Sequence, residues 1–426
     1  MEEVSKGNAS IDKFSFSDGM SCGEVLQHRE ILKKLREENF DLAITEPVDG
    51  CAYAIFEYLN IRAHTTVLSC TRFDHVSDVL GQPIAPSYVP GTQSFFSDRM
   101  SLKERVLNLI QFYYGRFTFA NILDQEYLMA RDILGIQRSW REVLPEASFI
   151  FSNHIPVLDF PAPTFDKIVP VGGFTVKTSH NSLKLDAKWD GILNERKKTV
   201  LISFGSNAKS KDMPEEYTSS LLRVFRSLPD TTFIWKYEED ADIDLPDNVH
   251  LSPWLPQNEL LADPRVTVFL THGGLASVME LALMGKPAVM VPIFADQGRN
   301  AQMLRRHGGA AVLQKTDLKD WELVASTMKD VLEDPKYQQN AWKLAEMLNN
   351  QPTNAKEVLL KHVEFAARFG KLPSLDNYGR QQSLIEYYFL DVIAILLLVT
   401  VTICILVWKI VRRLIRTFFG VKAKKE

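Results

Sequence analysis

Residues 266–291 read VTVFLTHGGLASVMELALMGKPAVMV, and this stretch decides the fold. The apolar run at 266–270 is typical of a buried strand, and the longer apolar segment at 275–284 is typical of a helix. A short glycine-containing turn then leads to another apolar run at 288–291. Strand, helix and strand in immediate succession predict an α/β fold, in which helices cover a parallel sheet.

The same alternation continues on both sides of this stretch. Strands are predicted at 42–45, 63–68, 199–204 and 232–236, and helices at 24–38, 51–59, 101–134 and directly after Pro214. No strand precedes the first helix, so the first sheet is expected to begin part-way through its fold. The proline-rich residues 156–170 and the polar residues 177–188 are predicted to connect the two βα series.

The helix predicted at 101–134 is rich in aromatic residues, including Phe112, Tyr114 and Phe117. One interpretation is that it packs on a sheet. The other is that it presents an apolar surface to lipid or to an apolar ligand.

The composition excludes several classes of protein. The chain has 426 residues, 46% of them hydrophobic, which is enough for two domains with buried cores and argues against general disorder. A formal net charge of −4 argues against a nucleic-acid binder. The four cysteines are too few and too scattered to predict a disulfide framework or a cysteine-rich zinc site.

Residues 390–408 (LDVIAILLLVTVTICILVW) have the length and composition of a membrane-spanning helix. Aromatic residues flank the span at 387–389 and at Trp408, as at membrane interfaces, and a basic tail follows at 409–426. The positive-inside rule places this tail in the cytoplasm and the bulk of the chain in a lumen or outside the cell. A buried core helix is the less favoured interpretation.

The two ends of the chain bear on its location. Lys422 and Lys424 stand fifth and third from the end, as in a dilysine retrieval signal of the endoplasmic reticulum. Residues 1–20 are polar and lack the apolar core of a signal peptide. Two explanations stay open: either the start of the chain is missing, or the protein enters the membrane by its tail and leaves its bulk in the cytosol.

Glycines stand where two predicted strands end. Gly273 and Gly274 let the backbone approach a bulky anion, and the helix that follows offers free N–H donors at its positive end. His272 precedes them and is predicted to donate a hydrogen bond to the same phosphates. Gly205 and Ser206 repeat the arrangement at the strand 199–204, so a nucleotide diphosphate is expected between the two loops.

Further polar and aromatic residues follow the same strand ends. Trp254 lies between two prolines and is predicted to form a stacking platform for a base, with Gln257 beside it. Glu280 lies about two helical turns beyond the phosphate loop, where it would reach a ribose. Asp296 and Gln297 follow the next strand and are predicted to bind the hydroxyls of a transferred sugar.

Each of these residues also has an ordinary structural explanation. Trp254 could be a core residue, Glu280 could lie on a solvated helix face, and His272 could form a turn. Their joint placement around one crevice makes the functional interpretation the stronger one.

The residues from Trp254 to Gln297 resemble the signature of the UDP-glycosyltransferases. The resemblance rests on Trp254-Leu-Pro-Gln257, Thr271-His272-Gly273-Gly274, Glu280, Gly285 and Asp296-Gln297. Weaker similarity extends over most of the chain, and the animal membrane-bound branch, which includes the UDP-glucuronosyltransferases, fits best. The resemblance implies a GT-B fold, with two Rossmann-like domains of which the N-terminal one is incomplete.

The resemblance also implies a role for each site residue and a division of the chain. Trp254 would stack on uracil, Gln257 and Glu280 would bind ribose, His272, Gly274 and Ser206 would hold the diphosphate, and Asp296 and Gln297 would hold the donor sugar. The expected segments are an acceptor-side domain at 1–176, a linker at 177–190, a donor domain at 191–370, a juxtamembrane segment at 371–389, the span at 390–408 and the tail at 409–426.

Family members invert the donor sugar, using a histidine as base and an aspartate that orients it. The aspartate aligns with Glu46, which keeps the charge. The histidine belongs to a strand upstream of residue 24, and His28, His64 and His75 do not match it; His75, expected in a loop, is a weak candidate. Ala276 replaces a common asparagine, and Ser277 is expected to supply the lost donor.

We therefore expect a single-pass membrane enzyme of the endoplasmic reticulum with a role in detoxification. It would transfer a sugar from UDP-glucuronate or UDP-glucose to a small lipophilic hydroxyl compound, without a metal or a further cofactor. Its other partners would be the lipid bilayer and, in oligomers, copies of itself or relatives, but not nucleic acid. The alternatives are an inactive shortened form that binds UDP-sugar or regulates full-length relatives, and a membrane protein that binds lipid without any donor.

Overall fold

The computed structural model describes residues 22–177, 184–239 and 244–420. The chain divides into two compact units, Met1–Asp376 and Asn377–Glu426. The first unit contains two parallel sheets covered by helices, which confirms the α/β fold.

The first sheet has four parallel strands in the order β1-β2-β3-β4. The strands are β1 (Ala43–Thr45), β2 (His64–Leu68), β3 (Ile150–Ser152) and β4 (Ile168–Pro170). The accompanying helices are α1 (Cys22–Gln27), α2 (Arg29–Glu37), α3 (Cys51–Leu59), α4 (Asp74–Val79), α5 (Leu102–Leu134) and α6 (Trp140–Val143). Parallel neighbours need crossover connections, and those from β1 to β2 and from β2 to β3 are helical, whereas residues 153–167 between β3 and β4 contain no helix.

We call residues 22–177 the first half of the first unit and residues 184–376 its second half. Three predictions for the first half need correction. The helix predicted at 24–38 is two helices, because the backbone leaves the helical region at His28 (φ −82°, ψ 54°). The proline-rich residues 156–170 are not only a connection, since they contain β4. His75 lies in helix α4 rather than in a loop.

A disulfide joins Cys22 of α1 to Cys51 of α3. The cysteine count did not predict it, because two cysteines 29 residues apart form no recognisable pattern. The bond fastens the first described helix to the helix that follows β1.

Helix α5 is one uninterrupted helix whose start is fixed by a capping box between Ser101 and Glu104. Phe112, Leu123 and Tyr127 on one face are buried in the first half, as expected for a helix that packs on a sheet layer. The opposite face exposes apolar side chains, among them Ile110, Tyr114 and Phe117.

The second sheet has six parallel strands in the order β10-β9-β8-β5-β6-β7. The strands are β5 (Lys198–Ser203), β6 (Thr231–Lys236), β7 (Val249–Ser252), β8 (Val266–Thr271), β9 (Ala288–Met290) and β10 (Ala310–Val312). The helices are α7 (Ala187–Leu193), α8 (Glu215–Ser227), α9 (Gln257–Ala262), α10 (Leu275–Met284), α11 (Gln297–Arg305), α12 (Trp321–Glu333), α13 (Pro335–Asn349) and α14 (Ala355–Phe369). Strand β5 lies between β6 and β8, so the chain order reverses there and leaves a crevice at the carboxyl ends of these strands.

Apolar side chains cover both faces of the second sheet, as parallel sheets require. In β5, Val200 and Ile202 face one core and Leu201 faces the other, and all three are fully buried. This double burial makes the central strands a rigid base for the loops at their ends.

The predicted linker at 177–190 lies partly outside the described residues, which omit 178–183. Within it, α7 begins at Ala187, where the Asp186 carboxylate accepts a hydrogen bond from the Trp189 backbone N–H.

Helix α14 follows the second sheet in sequence but packs against the first. The Phe149 ring next to β3 lies 4.7 Å from the His362 ring, and the Ser148 hydroxyl donates to the Gly370 carbonyl at 2.8 Å. Lys167 also forms an ion pair with Asp376. Residues at the end of the first unit therefore complete the packing around its first sheet.

The second unit contains α15 (Leu384–Tyr387) and α16 (Leu390–Gly420). Within α16, Leu390–Phe418 is long and apolar enough to cross a membrane, and the predicted span at 390–408 lies inside it. The helix continues beyond Trp408 into the basic tail. The dilysine pattern and the polar residues 1–20 lie outside the described residues.

Candidate functional site

A cavity of about 1120 Å³ opens at the carboxyl ends of β5, β6, β7 and β8. Most of the site residues predicted from sequence line it: Gly205, Ser206, Trp254, Gln257, His272, Gly274, Ser277 and Glu280. The crevice predicted from the strand pattern is therefore a single large cavity in the structure.

The His272 imidazole sits between two glycine-bearing loops. A Cβ atom added at Gly205, whose φ is +86°, would lie 2.7 Å from the ring, and one added at Gly274 would lie 2.8 Å from it. Both distances are shorter than real contacts allow. Glycine at these two positions is what lets the imidazole lie across the strand ends.

His272 is neutral near pH 7. Burial, and then the positive charge of Lys236, lower the pKa of His272 to about 4. Helix α10 begins directly behind it with Gly274 as N-cap and no side-chain cap, so its first N–H groups point toward the cavity edge. A neutral imidazole and an uncapped helix start together suit an anionic ligand.

Lys236 is a further cation in this cavity that the sequence analysis did not single out. Its Nζ donates to the Gly205 carbonyl at 2.8 Å and lies 5.9 Å from the centre of the Trp254 ring. The available signal was its position, since it ends β6, which neighbours β5. A lysine at a central strand end faces the ligand edge of a parallel sheet.

Trp254 is 73% exposed, so the interpretation as a core residue is wrong. The Ser252 hydroxyl donates to the Trp254 carbonyl at 2.7 Å and fixes the loop that carries the indole. An exposed and locally fixed indole at a cavity wall is suited to stacking on a planar ring.

Gln257 and Glu280 form one hydrogen-bonded group. The Gln257 side-chain amide donates to the Ser277 hydroxyl at 3.0 Å and to the Glu280 carboxylate at 2.5 Å. Burial raises the pKa of Glu280, while the bond from Gln257 opposes this shift. Glu280 is therefore a half-buried acceptor, not a residue of a solvated helix face.

Asp296 lies in a smaller adjoining cavity of about 330 Å³, which shares Leu275 and Ala276 with the large one. The Asn300 amide donates to the Asp296 carboxylate at 2.9 Å and to the Gly273 carbonyl at 3.2 Å. Asn300 thus ties Asp296 to the β8 loop.

Gln297 and Gly273 line neither cavity. Gln297 is buried, and its side-chain oxygen accepts hydrogen bonds from the N–H groups of Ile293 and Phe294, at 2.8 and 3.0 Å. It holds the loop before α11, in which Ala295 has a positive φ of 54°. Gly273 has φ +86°, and a Cβ there would lie 3.2 Å from the Gln297 carbonyl oxygen.

The smaller cavity is also lined by the first half, through Ser69, Cys70 and Phe73 among others. The Glu46 carboxylate accepts a hydrogen bond from the Ser69 N–H at 2.9 Å, so it stands directly behind this wall. Burial, together with the charge of Asp296, raises the pKa of the Cys70 thiol.

His75 does not line the smaller cavity that contains Asp296. Its Nε2 donates to the Pro47 carbonyl at 3.0 Å, and its ring lines a different cavity of about 500 Å³ together with Tyr113 and Trp140. The Phe119 ring, 5.5 Å away, stacks on it and lines the cavity of Asp296 instead.

Among the residues that the structure describes, Cys22, Asp49 and Cys51 are the one group whose donor atoms lie close enough to hold a metal. Their two sulfur atoms form the disulfide, so these residues do not suit a metal ion.

Solved glycosyltransferase structures share this architecture. The rice protein in "Crystal structure of Os79 from O. sativa in complex with U2F and trichothecene" has a TM-score of 0.57 at 16% identity and covers 82% of this chain and 83% of that chain. The glycotransferase of kitacinnamycin has a TM-score of 0.55 at 16% identity, covering 82% and 84%. The fold is thus that of the GT-B glycosyltransferases, as predicted.

The family model for "UDP-glucoronosyl and UDP-glucosyl transferase" matches residues 2–425, and the chain belongs to this family. UDP-glucuronosyltransferase 1A4 of Oryctolagus cuniculus is 27% identical over 401 residues, which are 94% of this chain and 74% of that protein. UDP-glucuronosyltransferase 1A10 of Homo sapiens is 27% identical over 394 residues, or 91% and 72% of the two proteins. The resemblance predicted from the Trp254–Gln297 signature is confirmed.

Proposed function

We propose that this protein transfers a glucuronosyl or glucosyl group from its UDP conjugate to a hydroxyl of a small lipophilic compound. The convergence of an exposed indole, a carboxylate–amide pair and an uncapped helix start in one cavity is the observation that carries the proposal. These groups are complementary to a base, a ribose and a diphosphate, respectively.

The proposed donor pose follows from these groups. Uracil stacks on Trp254, and the ribose hydroxyls donate to Glu280, which Gln257 holds in place. The diphosphate meets the N–H groups at the start of α10, the His272 imidazole and the Lys236 ammonium. These donors and charges can offset the charge of the leaving UDP without a metal ion.

The proposed reaction takes place where the two cavities adjoin. The acceptor oxygen forms a bond to the anomeric carbon while the bond from that carbon to the β-phosphate oxygen breaks, and UDP leaves with the electron pair. Attack opposite the leaving group inverts the sugar, and a base takes the hydroxyl proton. Phe73, Phe119 and Leu275 line the acceptor side, which supports a lipophilic acceptor.

Asp296 is proposed to bind the donor sugar and Glu46 to act behind the acceptor wall. Gln297 is assigned a supporting part in this proposal, because its side-chain oxygen is engaged with the loop backbone.

A second candidate function is non-catalytic binding of UDP-sugar, with regulation of relatives in the membrane. One observation favours it: among the described residues, the smaller cavity is lined by no histidine, and its ionisable groups are Cys70 and Asp296. A thiol with a raised pKa is a poor general base at neutral pH.

We further propose a single-pass protein whose first unit lies in the lumen of the endoplasmic reticulum. Leu390–Phe418 supplies a helix of suitable length, and the family relatives are UDP-glucuronosyltransferases. The Cys22–Cys51 disulfide supports an oxidising compartment for the first unit. Protection of this unit from protease in sealed microsomes is the expected result; digestion without detergent would place it in the cytosol.

The test of donor binding is a thermal shift of the purified full chain in detergent with millimolar UDP. Binding to the native state must raise the melting temperature, whereas unchanged melting would contradict the proposal. Transfer from UDP-glucuronate or UDP-glucose to a simple phenol then separates the two functions. Product formation supports the enzyme, and UDP binding without product supports the regulator.

A further inference from the structure

Arg299 belongs to the second half by sequence, but its side chain is buried among residues of the first half. It lies on α11, which begins at Gln297, and its side chain is only 1% exposed. Its guanidinium contacts residues that precede the second sheet. A residue of one half that ends inside the other is a direct physical link between the two.

Three separate segments of the first half meet at this guanidinium. One Nη atom lies 2.7 Å from the Asp159 carboxylate, the other donates to the Thr71 hydroxyl at 2.6 Å, and Nε donates to the Pro90 carbonyl at 3.3 Å. The Phe160 ring lies 5.3 Å from its central carbon. The fixed fork of donors explains why arginine suits three partners in different directions.

These partners adjoin the wall of the smaller cavity. Thr71 follows Cys70, and Pro90 precedes the loop whose residues Thr92 and Gln93 line that cavity together with Asp296. Thr92 is itself anchored, since its N–H donates to the Asp74 carboxylate at 2.9 Å. The acceptor wall is therefore built on segments that Arg299 holds.

On its own helix, Arg299 adjoins the groups that orient Asp296, the carboxylate proposed to bind the donor sugar. The next residue, Asn300, donates to Asp296, and the preceding Gly298 packs so closely on Phe95 that a Cβ would lie 2.6 Å from its ring. The start of α11 is thus packed against the first half through both Gly298 and Arg299.

We infer that Arg299 is a positioning residue that sets Asp296 against the acceptor wall, and so governs recognition of the donor sugar but not of UDP. The inference rests on the proposed function, because it assigns Asp296 to the sugar. The groups proposed for the base, ribose and diphosphate lie on the loops after β5, β7 and β8, at the end of β6 and on α9 and α10, and none of them is a partner of the Arg299 guanidinium. UDP itself should therefore bind independently of it.

The experiment compares affinities for UDP and for UDP-glucose or UDP-glucuronate, by calorimetry on the full chain in detergent. Arg299→Lys keeps the charge but loses the fork of donors, and Asp159→Asn removes the negative charge that faces the guanidinium. We expect each to weaken UDP-sugar binding roughly tenfold while changing UDP affinity less than about twofold. Arg305→Gln, on an exposed position of the same helix, is the matched control and should change neither.

The outcomes separate this inference from the proposed function. Equal weakening of UDP and UDP-sugar would mean a general structural role and would overturn the inference, as would unchanged UDP-sugar affinity. Retained UDP affinity in each variant reports that the second half is folded. If the unaltered chain binds no UDP, the proposed function fails, and the inference fails with it. In the combined Arg299→Lys/Asp296→Asn variant, the loss should be clearly less than the sum of the two single losses.

Discussion

The two halves of the first unit are built differently although both are parallel α/β sheets. In the second half, strands of up to six residues end at one cavity, and most of its polar lining comes from the continuous stretch 252–280. In the first half, the strands have three to five residues, and the lining of the smaller cavity is gathered from positions near 70, 92 and 119. A nucleotide site can be specified locally, whereas the acceptor side depends on packing between distant segments.

The largest expected effect is on the stability of the first half alone. Replacing Cys22 and Cys51 by alanine opens a link between residues 29 apart, and loop-closure entropy predicts a loss of about 3–4 kcal/mol. Hydrogen exchange should accelerate in α3 but not in β5 or β8, and UDP affinity should change less than about twofold. Cys404→Ser, at an exposed free cysteine, is the control. Equal loss of hydrogen-exchange protection in both sheets would show that the disulfide stabilises both halves, and would contradict an effect confined to the first.

The second-largest expected effect is on UDP affinity, and it should arise only from changes in the second half. Gly205→Ala places a Cβ against His272 at a positive φ, so we expect UDP affinity to fall by at least about 30-fold, or roughly 2 kcal/mol. Gly115→Ala, in α5 of the first half, meets nothing within 4 Å and should leave UDP binding unchanged. Calorimetry with UDP measures both, and similar losses in the two variants would contradict the local description of the site.

Trp254→Ala should weaken UDP binding about tenfold, because a base loses its stacking surface. Trp254→Phe keeps an aromatic face and should recover most of the affinity. Phe73→Ala, on the acceptor wall, should leave UDP affinity within about twofold of the unaltered chain. A larger effect of Phe73 than of Trp254 would reverse the assignment of the two walls.

The smallest effect is a pH dependence. His272 has a pKa of about 4 in the free protein, and a bound diphosphate favours the charged imidazole and so raises it. Binding therefore takes up a proton, and affinity for UDP-glucose should rise as pH falls, by roughly threefold between pH 7 and 5. His272→Gln should abolish this rise. The same pH dependence in the unaltered chain and in His272→Gln would exclude His272 as the source, as would an affinity that decreases when the pH is lowered.

This contrast also explains what could be predicted from the sequence. The helix predicted at 275–284 has the bounds of α10, and the neighbouring loop residues lie at one cavity, because strand, turn and helix signals are contiguous there. Strands β3 and β4 were missed, since three residues are too few to show a period and no helix between them marks a strand–helix–strand alternation. Arg299 was missed because its partners at 71, 90 and 159 are distant in sequence.

The family resemblance also assigned roles that local geometry modifies. Gln297 was expected at the sugar, yet its side-chain oxygen holds the loop backbone at Ile293 and Phe294. Lys236 was not expected at all, because a single lysine ending a strand carries no pattern of its own. Both depend on which strand lies beside which, and that order is a property of the whole sheet.

The return of α14 to the first sheet has a consequence for synthesis on the ribosome. The Ser148 hydroxyl finds its acceptor at Gly370, 222 residues later, and Phe149 its aromatic neighbour at His362. The outer face of the first sheet must therefore stay uncovered while the entire second sheet is translated. The half that is made first is the half that is finished last, so newly made chains should need a chaperone until residue 376 has emerged.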